Sequence, residues 1–275
     1  MSSSVLRKQQ TVAGKVALEG TGLHSGKMCR ATVCPAHEDY GVTFVLNGET
    51  IPATVDYVVG TARSTTLGKG DVCVRSVEHI LAALAGLCVD NAEILVEGTE
   101  IPAFDGSALP ICQAIRSAGI IGQSKPVDSV RIAAPVMVES GGGFIAALPA
   151  DAYRLRYFMS YDHPMIGVQS AECVLGNNCF SEKVAPARTF VLYEEVEELR
   201  DSSLARGGSL ENTIVIWPDK TSAEFRMPQE LAVHKLLDLV GDLSLVGRPL
   251  LAEVIAVKSG HGLNVALARK ILSGG

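Results

Sequence analysis

The feature that most limits the possible folds is an order of elements that occurs twice along the chain. In residues 9–60, short β-branched runs alternate with turn signals, and the helical pattern "VEHILAALAGL" follows at residues 77–87. After residues 122–129 the order returns: strand-like runs come first, and the helical pattern "ELAVHKLLDLVGDLSLV" (230–246) comes later. Strands followed by helices in each half favour α+β sandwiches over a doubly wound parallel sheet.

The two halves also share a short sequence. "HILAALAG" begins at His79 and "HKLLDLVG" at His234, with aliphatic residues in register and a glycine seven positions after each histidine. This similarity suggests an internal duplication with one histidine-bearing helix per half. We therefore predict an α+β fold of two similar sheet-plus-helix sandwich domains, residues 1–121 and 130–275, joined by a linker at residues 122–129.

Composition excludes several classes of partner. The formal net charge is −6, so no overall basic field attracts nucleic acid, and an anionic ligand must be held by local cations. The most apolar window, residues 79–96, is interrupted by Asp90, Asn91 and Glu93, which predicts no stable membrane insertion. Seven cysteines without a C-x-x-C pair, and an N-terminus without the apolar core of a signal peptide, predict a reduced, cytoplasmic protein.

The second helical pattern carries polar residues that an apolar helix would not ordinarily keep. His234, Asp238 and Asp242 follow one another at four-residue spacing and so lie on one face. One interpretation is a solvent-facing row, or a His–Asp pair that ties the helix to a neighbour. The other is a metal site, but H-x-x-x-D alone is too common to decide between them.

A third ligand is available at the start of the first helix. A catalytic zinc ion typically has three N/O protein ligands and one open position for water. If the two helices face each other, His79, His234 and Asp238 can form a His₂Asp site with Glu78 beside it. The alternative for Glu78 is a carboxylate that caps its own helix. His261 lies in the glycine-flanked turn "SGHGLN" and can reach such a site, whereas His24 is expected to be structural.

Seven motifs together resemble one enzyme family. The chain resembles the zinc-dependent UDP-3-O-acyl-N-acetylglucosamine deacetylases, hydrolases of the committed step of lipid A synthesis, over nearly its whole length. The resemblance rests on "GTGLHSGK" (20–27), "SVEHILAALAGLCVDNAEI" (76–94), "IPAFDGSALP" (101–110), "ARTF" (187–190), "RGGSLEN" (206–212), "HKLLDLVGDL" (234–243) and "SGHGLN" (259–264). It implies two α+β sandwiches with the active site between them.

The resemblance also implies roles for individual residues. One zinc ion per chain is expected on His79, His234 and Asp238. Glu78 is expected to be the general base, and His261 a cationic acid oriented by Asp242. The remaining implied roles are oxyanion assistance by Thr189, diphosphate binding by Lys235 and a sugar contact by Phe190. No G-x-S-x-G motif supports a serine nucleophile instead.

The acyl chain of such a substrate needs a site of its own. The resemblance implies an inserted element, about residues 190–215, that forms a passage for it. Leu192 and Val196 lie at helical spacing, and Gly208 follows; we predict that these three line a hydrophobic channel beside the metal. The same stripe is compatible with plain core packing.

The chain departs from the family at one position, and its motifs leave two other functions open. Val233 stands where the family usually has arginine, which puts in doubt an ion pair near the metal. The rivals are a deacetylase of the same scaffold acting on another N-acyl amino sugar, and a non-catalytic homologue. The expected oligomeric state is a monomer, and the expected partner is a UDP-linked acylated amino sugar.

Overall fold

A computed structural model of the protein describes residues 7–176 and 178–274. The first half contributes a five-stranded sheet, a three-stranded sheet and one strand of a two-stranded ribbon. Its strands are β1 (Lys8–Val12), β2 (Val16–Thr21), β3 (Met28–Pro35), β4 (Val42–Leu46), β5 (Glu49–Pro52), β6 (Val58–Gly60), β7 (Thr66–Lys69), β8 (Val72–Val74) and β9 (Ala92–Glu97). In each strand of the larger sheet, buried residues recur among more exposed ones, as expected where one face covers the core.

The second half is built around a six-stranded sheet. The later strands are β10 (Ile120–Pro126), β11 (Val130–Arg131), β12 (Val136–Ser140), β13 (Gly143–Pro149), β14 (Arg154–Ser160), β15 (Val168–Val174), β16 (Phe190–Leu192), β17 (Ile214–Ile216) and β18 (Leu250–Val257). The helices of the chain are α1 (Glu78–Gly86), α2 (Leu109–Ala118), α3 (Val196–Asp201), α4 (Glu230–Ser244) and α5 (His261–Leu272). Short 3-10 turns lie at Val55–Tyr57 and Tyr193–Glu195, and a π-helical turn at Phe180–Val184.

The two large sheets share one topology. The first has the strand order β2-β3-β9-β4-β5, and the second has β12-β13-β18-β14-β15, with β11 pairing with β18 outside this path. In both, the last strand lies at the centre, antiparallel to the second strand of the path and parallel to the fourth. A helix, α1 or α4, precedes that central strand, and another, α2 or α5, follows it. The prediction of an α+β fold with two similar sheet-plus-helix units is confirmed.

Helices α1 and α4 pack directly against each other, which joins the two halves. A Cβ atom at Gly241 would lie 2.1 Å from the Glu78 carbonyl oxygen. Only glycine therefore permits the two helix backbones to approach this closely. Helix α4 is buried on nearly every side, with Leu236, Leu237 and Val240 fully enclosed. Polar residues at the α1–α4 contact are consequently removed from water.

The start of the predicted linker is a strand. Residues 120–126 form β10, which pairs antiparallel with β1, so that Thr11 lies opposite Ile121. The polar composition of this segment suggested an irregular connection, but strand pairing uses backbone N–H and C=O groups that polar residues also have. The domain boundaries at residues 121 and 130 stay predictions.

Leu192 and Val196 lie at helical spacing in the sequence, but they do not belong to one helix. Leu192 ends β16, which pairs in parallel with β17 through Phe190↔Ile214 and Leu192↔Ile216. Helix α3 begins only at Val196. Pairing with a distant strand, which local spacing cannot show, outweighed helical periodicity here. Within the described residues, no helix is both long and apolar enough to cross a membrane.

Candidate metal centre and active site

Three potential ligand atoms converge at the α1–α4 contact. The Nε2 atom of His79 lies 3.5 Å from Asp238 Oδ1, and Nε2 of His234 lies 3.5 Å from the same oxygen. All three ligand atoms fall within 4.8 Å of one another. His234 and Asp238 share a face of α4, and His79 comes from the first turn of α1. The structure thus brings together the three residues predicted to bind metal.

The chemistry of these donors fits a divalent metal that prefers nitrogen and oxygen. Ligands at 2.0–2.1 Å from one tetrahedral ion lie roughly 3.4 Å apart, close to the observed 3.5 Å. The other ring nitrogen of His234, Nδ1, lies 3.1 Å from the Ala187 carbonyl oxygen. That hydrogen bond fixes the ring with Nε2 toward Asp238, as in protein metal sites generally. Burial lowers the pKa of His234 to about 4, so the ring is neutral and able to ligate.

The second oxygen of Asp238 is held by Lys235. The Lys235 ammonium lies 3.0 Å from Asp238 Oδ2 and leaves Oδ1 to face the histidines. Burial alone would raise the pKa of Asp238, but Lys235 and His234 hold it well below its usual range. Burial also opposes the charge of Lys235, yet Asp238 raises the pKa of Lys235 above its ordinary value. Both groups therefore stay ionised at neutral pH.

Glu78 directly precedes His79, a predicted metal ligand, and its carboxylate is held by a different part of the chain. Its Oε2 atom accepts a hydrogen bond of 3.0 Å from the backbone N–H of Thr65. Glu78 is also an acidic residue in the first turn of α1, a position that is compatible with the alternative of a carboxylate that stabilises its own helix. Burial raises the pKa of Glu78, while His261 and His79 act in the opposite direction. A carboxylate with a raised pKa beside a metal site is suited to taking up a proton.

His261 opens α5 and is paired with Asp242. Its Nδ1 atom lies 2.8 Å from Asp242 Oδ2, and both residues are buried. Asp242 also accepts hydrogen bonds from Thr65 Oγ1 at 2.5 Å and Asn264 Nδ2 at 2.9 Å. Burial lowers the pKa of His261, but the charge and hydrogen bond of Asp242 outweigh it and raise this pKa to about 9. At neutral pH His261 is a buried cation on an oriented carboxylate.

This pairing predicts a pH-dependent stability. Because the folded-state pKa of His261, about 9, exceeds its ordinary value of 6.5, its contribution is fully present below pH 6.5 and lost as pH rises through 9. The difference corresponds to roughly 3 kcal/mol. Urea unfolding of chelator-treated protein at pH 6.5 and pH 10 should show a larger loss in the wild type than in His261→Gln. Equal losses in the two proteins would contradict the pairing.

The chain is similar to the proteins of one known enzyme family. The family model described as UDP-3-O-acyl N-acetylglycosamine deacetylase matches residues 9–273. The chain belongs to this family. The UDP-3-O-acyl-N-acetylglucosamine deacetylase of Chlamydia felis (strain Fe/C-56) is 43% identical over 97% of this chain and 97% of its own length. Proteins of the same name are 43% identical in Anaeromyxobacter sp. (strain Fw109-5) and 40% identical in Myxococcus xanthus (strain DK1622), over 96% of this chain and 88% and 86% of the relatives.

The segment "ARTF" of this deacetylase-family chain contacts His234, one of the predicted metal ligands. The Thr189 backbone N–H donates to the Gly106 carbonyl oxygen at 2.9 Å, and its carbonyl accepts from Ile214 N–H at 2.9 Å. The Phe190 ring centroid lies 6.5 Å from that of His234 and 5.7 Å from Lys235 Nζ. Phe190 is thus close in space to His234, a predicted metal ligand, and Thr189 precedes Phe190 directly in the chain.

Several contacts that build the site were absent from the sequence prediction. Thr65 reaches both Glu78 and Asp242, and Asn264 holds Asp242 from α5. Arg188, within "ARTF", pairs with the fully buried carboxylate of Glu230 at 2.8 Å and so fixes this segment on the first turn of α4. Asn264 and Arg188 lie inside motifs of the deacetylase family, which is the only signal the sequence offered.

The predicted acyl-channel residues and Val233 lie in different surroundings. Leu192 and Val196 are half-buried, and Gly208 is exposed. Val233 packs on the core and lines a cavity of about 480 Å³ together with Arg226 and Lys183. That cavity contains none of the predicted site residues of this deacetylase-family chain. The channel along Leu192, Val196 and Gly208 stays a prediction.

Proposed function

We propose that the protein is a zinc-dependent hydrolase that removes the N-acetyl group from UDP-3-O-acyl-N-acetylglucosamine and releases acetate. In this reaction, the committed step of lipid A synthesis, water adds to the acetamide carbon, the C–N bond breaks and the amine takes up a proton. The observation that carries the proposal is the convergence of His79, His234 and Asp238 beside Glu78, in a chain of the deacetylase family.

The metal would be held by His79, His234 and Asp238, one ion per chain. Bound there, zinc would lower the pKa of a coordinated water and polarise the acetamide carbonyl group. Lys235 and the Ala187 carbonyl keep Asp238 Oδ1 and His234 Nε2 directed at the ion's position. The chain's contribution to this centre is therefore a set of ligands that is oriented before the ion arrives.

Glu78 is the proposed general base. Its burial raises its pKa, which makes the carboxylate a stronger proton acceptor than an exposed glutamate. The Thr65 N–H fixes Oε2 and leaves Oε1 to accept the proton of the attacking water. Transfer of that proton as the new C–O bond forms is the step that general-base catalysis accelerates, typically by about 10²–10⁴-fold.

His261 is the proposed acid and Thr189 the proposed oxyanion partner. The His261 cation, oriented by Asp242, stabilises negative charge that develops at the carbonyl group and supplies a proton to the departing amine. Glu78 can return its own proton to the same nitrogen. Thr189 offers a hydroxyl donor on the segment that also positions His234 through Ala187.

Substrate recognition would use the groups around Phe190. Its ring offers an apolar face to the sugar, and the cationic Lys235 beside it can attract the diphosphate. The proposed setting is the cytoplasm and the proposed state is a monomer, which light scattering after size-exclusion chromatography tests. These assignments rest on the family resemblance and on the proximity of Phe190 and Lys235 to the predicted ligands.

The acyl chain is proposed to pass along Leu192, Val196 and Gly208. Leu192 and Val196 are half-buried apolar residues that come soon after Phe190 in the chain, and Gly208 is exposed. Each buried methylene contributes about 0.8 kcal/mol, so a chain of several carbons gains much of its binding here.

Gly208→Phe is expected to reduce kcat/KM for the acylated substrate by at least about tenfold, because its ring occupies the passage. Gly208→Ala is the matched control and should retain most activity, with metal content unchanged in both variants. A Cβ atom at this position would lie 3.0 Å from the Ala205 carbonyl oxygen, so both variants should share any loss of melting temperature. Unaltered kcat/KM in Gly208→Phe places the acyl chain elsewhere.

The test of the whole proposal is acetate release by zinc-loaded protein. The acylated UDP-sugar should be hydrolysed, and the same sugar without UDP should react poorly. Equal turnover of the two substrates points to another N-acyl amino sugar, and stoichiometric zinc without acetate release points to a non-catalytic homologue. Either result overturns the proposed substrate or the proposed reaction.

A further inference from the structure

Arg63 lies on the β6–β7 loop, which contacts the proposed catalytic residues, and none of the proposed roles uses its side chain. Two residues later in the β6–β7 loop, Thr65 contacts both Glu78 and Asp242. The φ angle of Arg63 is +63°, a left-handed conformation that residues with side chains rarely adopt. The guanidinium is therefore presented from an uncommon backbone conformation.

The partner of Arg63 comes from the opposite half of the chain. Arg63 Nη1 lies 2.9 Å from Glu195 Oε2, in the 3-10 turn that follows β16. The two side chains are 41% and 33% exposed, and an ion pair this accessible to water gives little net stabilisation. Arg63 can therefore leave Glu195 for a ligand that binds the guanidinium more strongly.

The partner of Arg63 follows the strand that contacts Lys235. Glu195 lies five residues after Phe190, whose ring centroid is 5.7 Å from Lys235 Nζ and 6.5 Å from that of His234. Thr65, two residues after Arg63, contacts Glu78 and Asp242. The Arg63–Glu195 ion pair therefore joins two segments that both reach the candidate site.

The two cations, Arg63 and Lys235, are both paired with carboxylates. Lys235 is already paired with Asp238 and Arg63 with Glu195, and the whole chain has a formal charge of −6. A nucleoside diphosphate needs at least one cation that can leave its protein partner. Arginine also binds phosphate oxygens in a bidentate fashion, which a point charge such as lysine does not.

We propose that Arg63 exchanges Glu195 for the diphosphate of the bound nucleotide-sugar and acts with Lys235 as a second cation for that group. This inference rests on the proposed function, because it assumes a UDP-linked substrate. Glu195 then competes with the ligand and keeps the cation in place in its absence. If the ion pair only holds the β6–β7 loop against the 3-10 turn, removal of the Glu195 carboxylate should weaken UDP binding instead of strengthening it.

Calorimetric titration of zinc-loaded protein with UDP and with uridine distinguishes the two roles. Arg63→Gln should weaken UDP binding by about tenfold or more, as expected for a lost charge-assisted contact, and leave uridine affinity unchanged. Arg63→Lys should fall between this variant and the wild type. Glu195→Gln should tighten UDP binding by about two- to fivefold, because the competing carboxylate is gone.

Two variants of equal charge change serve as controls. Arg248 and Asp128 form an exposed ion pair elsewhere, so Arg248→Gln and Asp128→Asn should not alter UDP affinity. Unchanged UDP affinity in Arg63→Gln, or equal weakening in Arg63→Gln and Glu195→Gln, overturns the exchange. Acetate release by the wild type is measured in parallel, so a failure of Arg63 alone is separable from a failure of the proposed function. A wild type that releases acetate without binding UDP overturns this inference only.

Discussion

Replacing Asp238 by alanine is expected to leave the purified protein without stoichiometric zinc and without acetate-releasing activity. Asp238 Oδ1 is the atom that both histidine Nε2 atoms face at 3.5 Å. Its loss removes one ligand and the group that keeps Lys235 from carrying an unpaired positive charge beside the metal position. Loss of a hydrogen bond to a ligand already costs roughly 10–100-fold in metal affinity, and loss of a ligand should cost more.

The measurement is metal analysis after dialysis against a weak chelator, with His79→Ala as a second ligand variant. Asp90→Ala is a suitable control, because Asp90 pairs with Arg7 and is not among the predicted site residues. Melting temperatures of the metal-free proteins show whether the variants still fold. Undiminished zinc in both Asp238→Ala and His79→Ala would rule out this site.

The parts of the fold and site that the sequence predicted are those in which local spacing corresponds to geometry. His234 and Asp238 are four residues apart on a buried helix, so their shared face followed from helical periodicity. The similarity of "HILAALAG" to "HKLLDLVG" suggested one histidine-bearing helix in each half, and these two helices, α1 and α4, pack together. Gly241, at the end of that match, is the residue that permits their close approach.

The parts that the sequence did not predict depend on contacts between distant segments. Thr65 bonds to Asp242, which lies 177 residues further along the chain, and no local pattern marks such a pair. The strand at Ile120–Pro126 forms because β1 supplies its backbone partners, and Leu192 is in a strand because β17 does. Backbone hydrogen bonding and single polar contacts leave no periodic signal, whereas burial of an apolar face does.

The second large effect is expected in Glu78→Gln, which should retain zinc and lose roughly 10²–10⁴-fold in kcat. Glutamine keeps an oxygen that accepts the Thr65 N–H but has no basic site for the proton of water. His261→Gln should also retain zinc and lose activity, because Asp242 then orients a neutral side chain. If both residues act in one proton-transfer sequence, the double variant should lose much less than the product of the two single losses.

The dependence of kcat/KM on pH is an independent test of Glu78 and His261. A base that must be deprotonated and a cation that must be protonated produce a bell-shaped dependence of kcat/KM on pH. The alkaline limb of the wild type should reflect His261, whose pKa is raised to about 9 by Asp242 against the effect of burial. In Asp242→Asn the charge that raises this pKa is gone and burial remains, so the alkaline limb should move to lower pH while zinc content stays stoichiometric. An alkaline limb that does not move in Asp242→Asn, or near wild-type turnover in Glu78→Gln, would show that other groups transfer the protons.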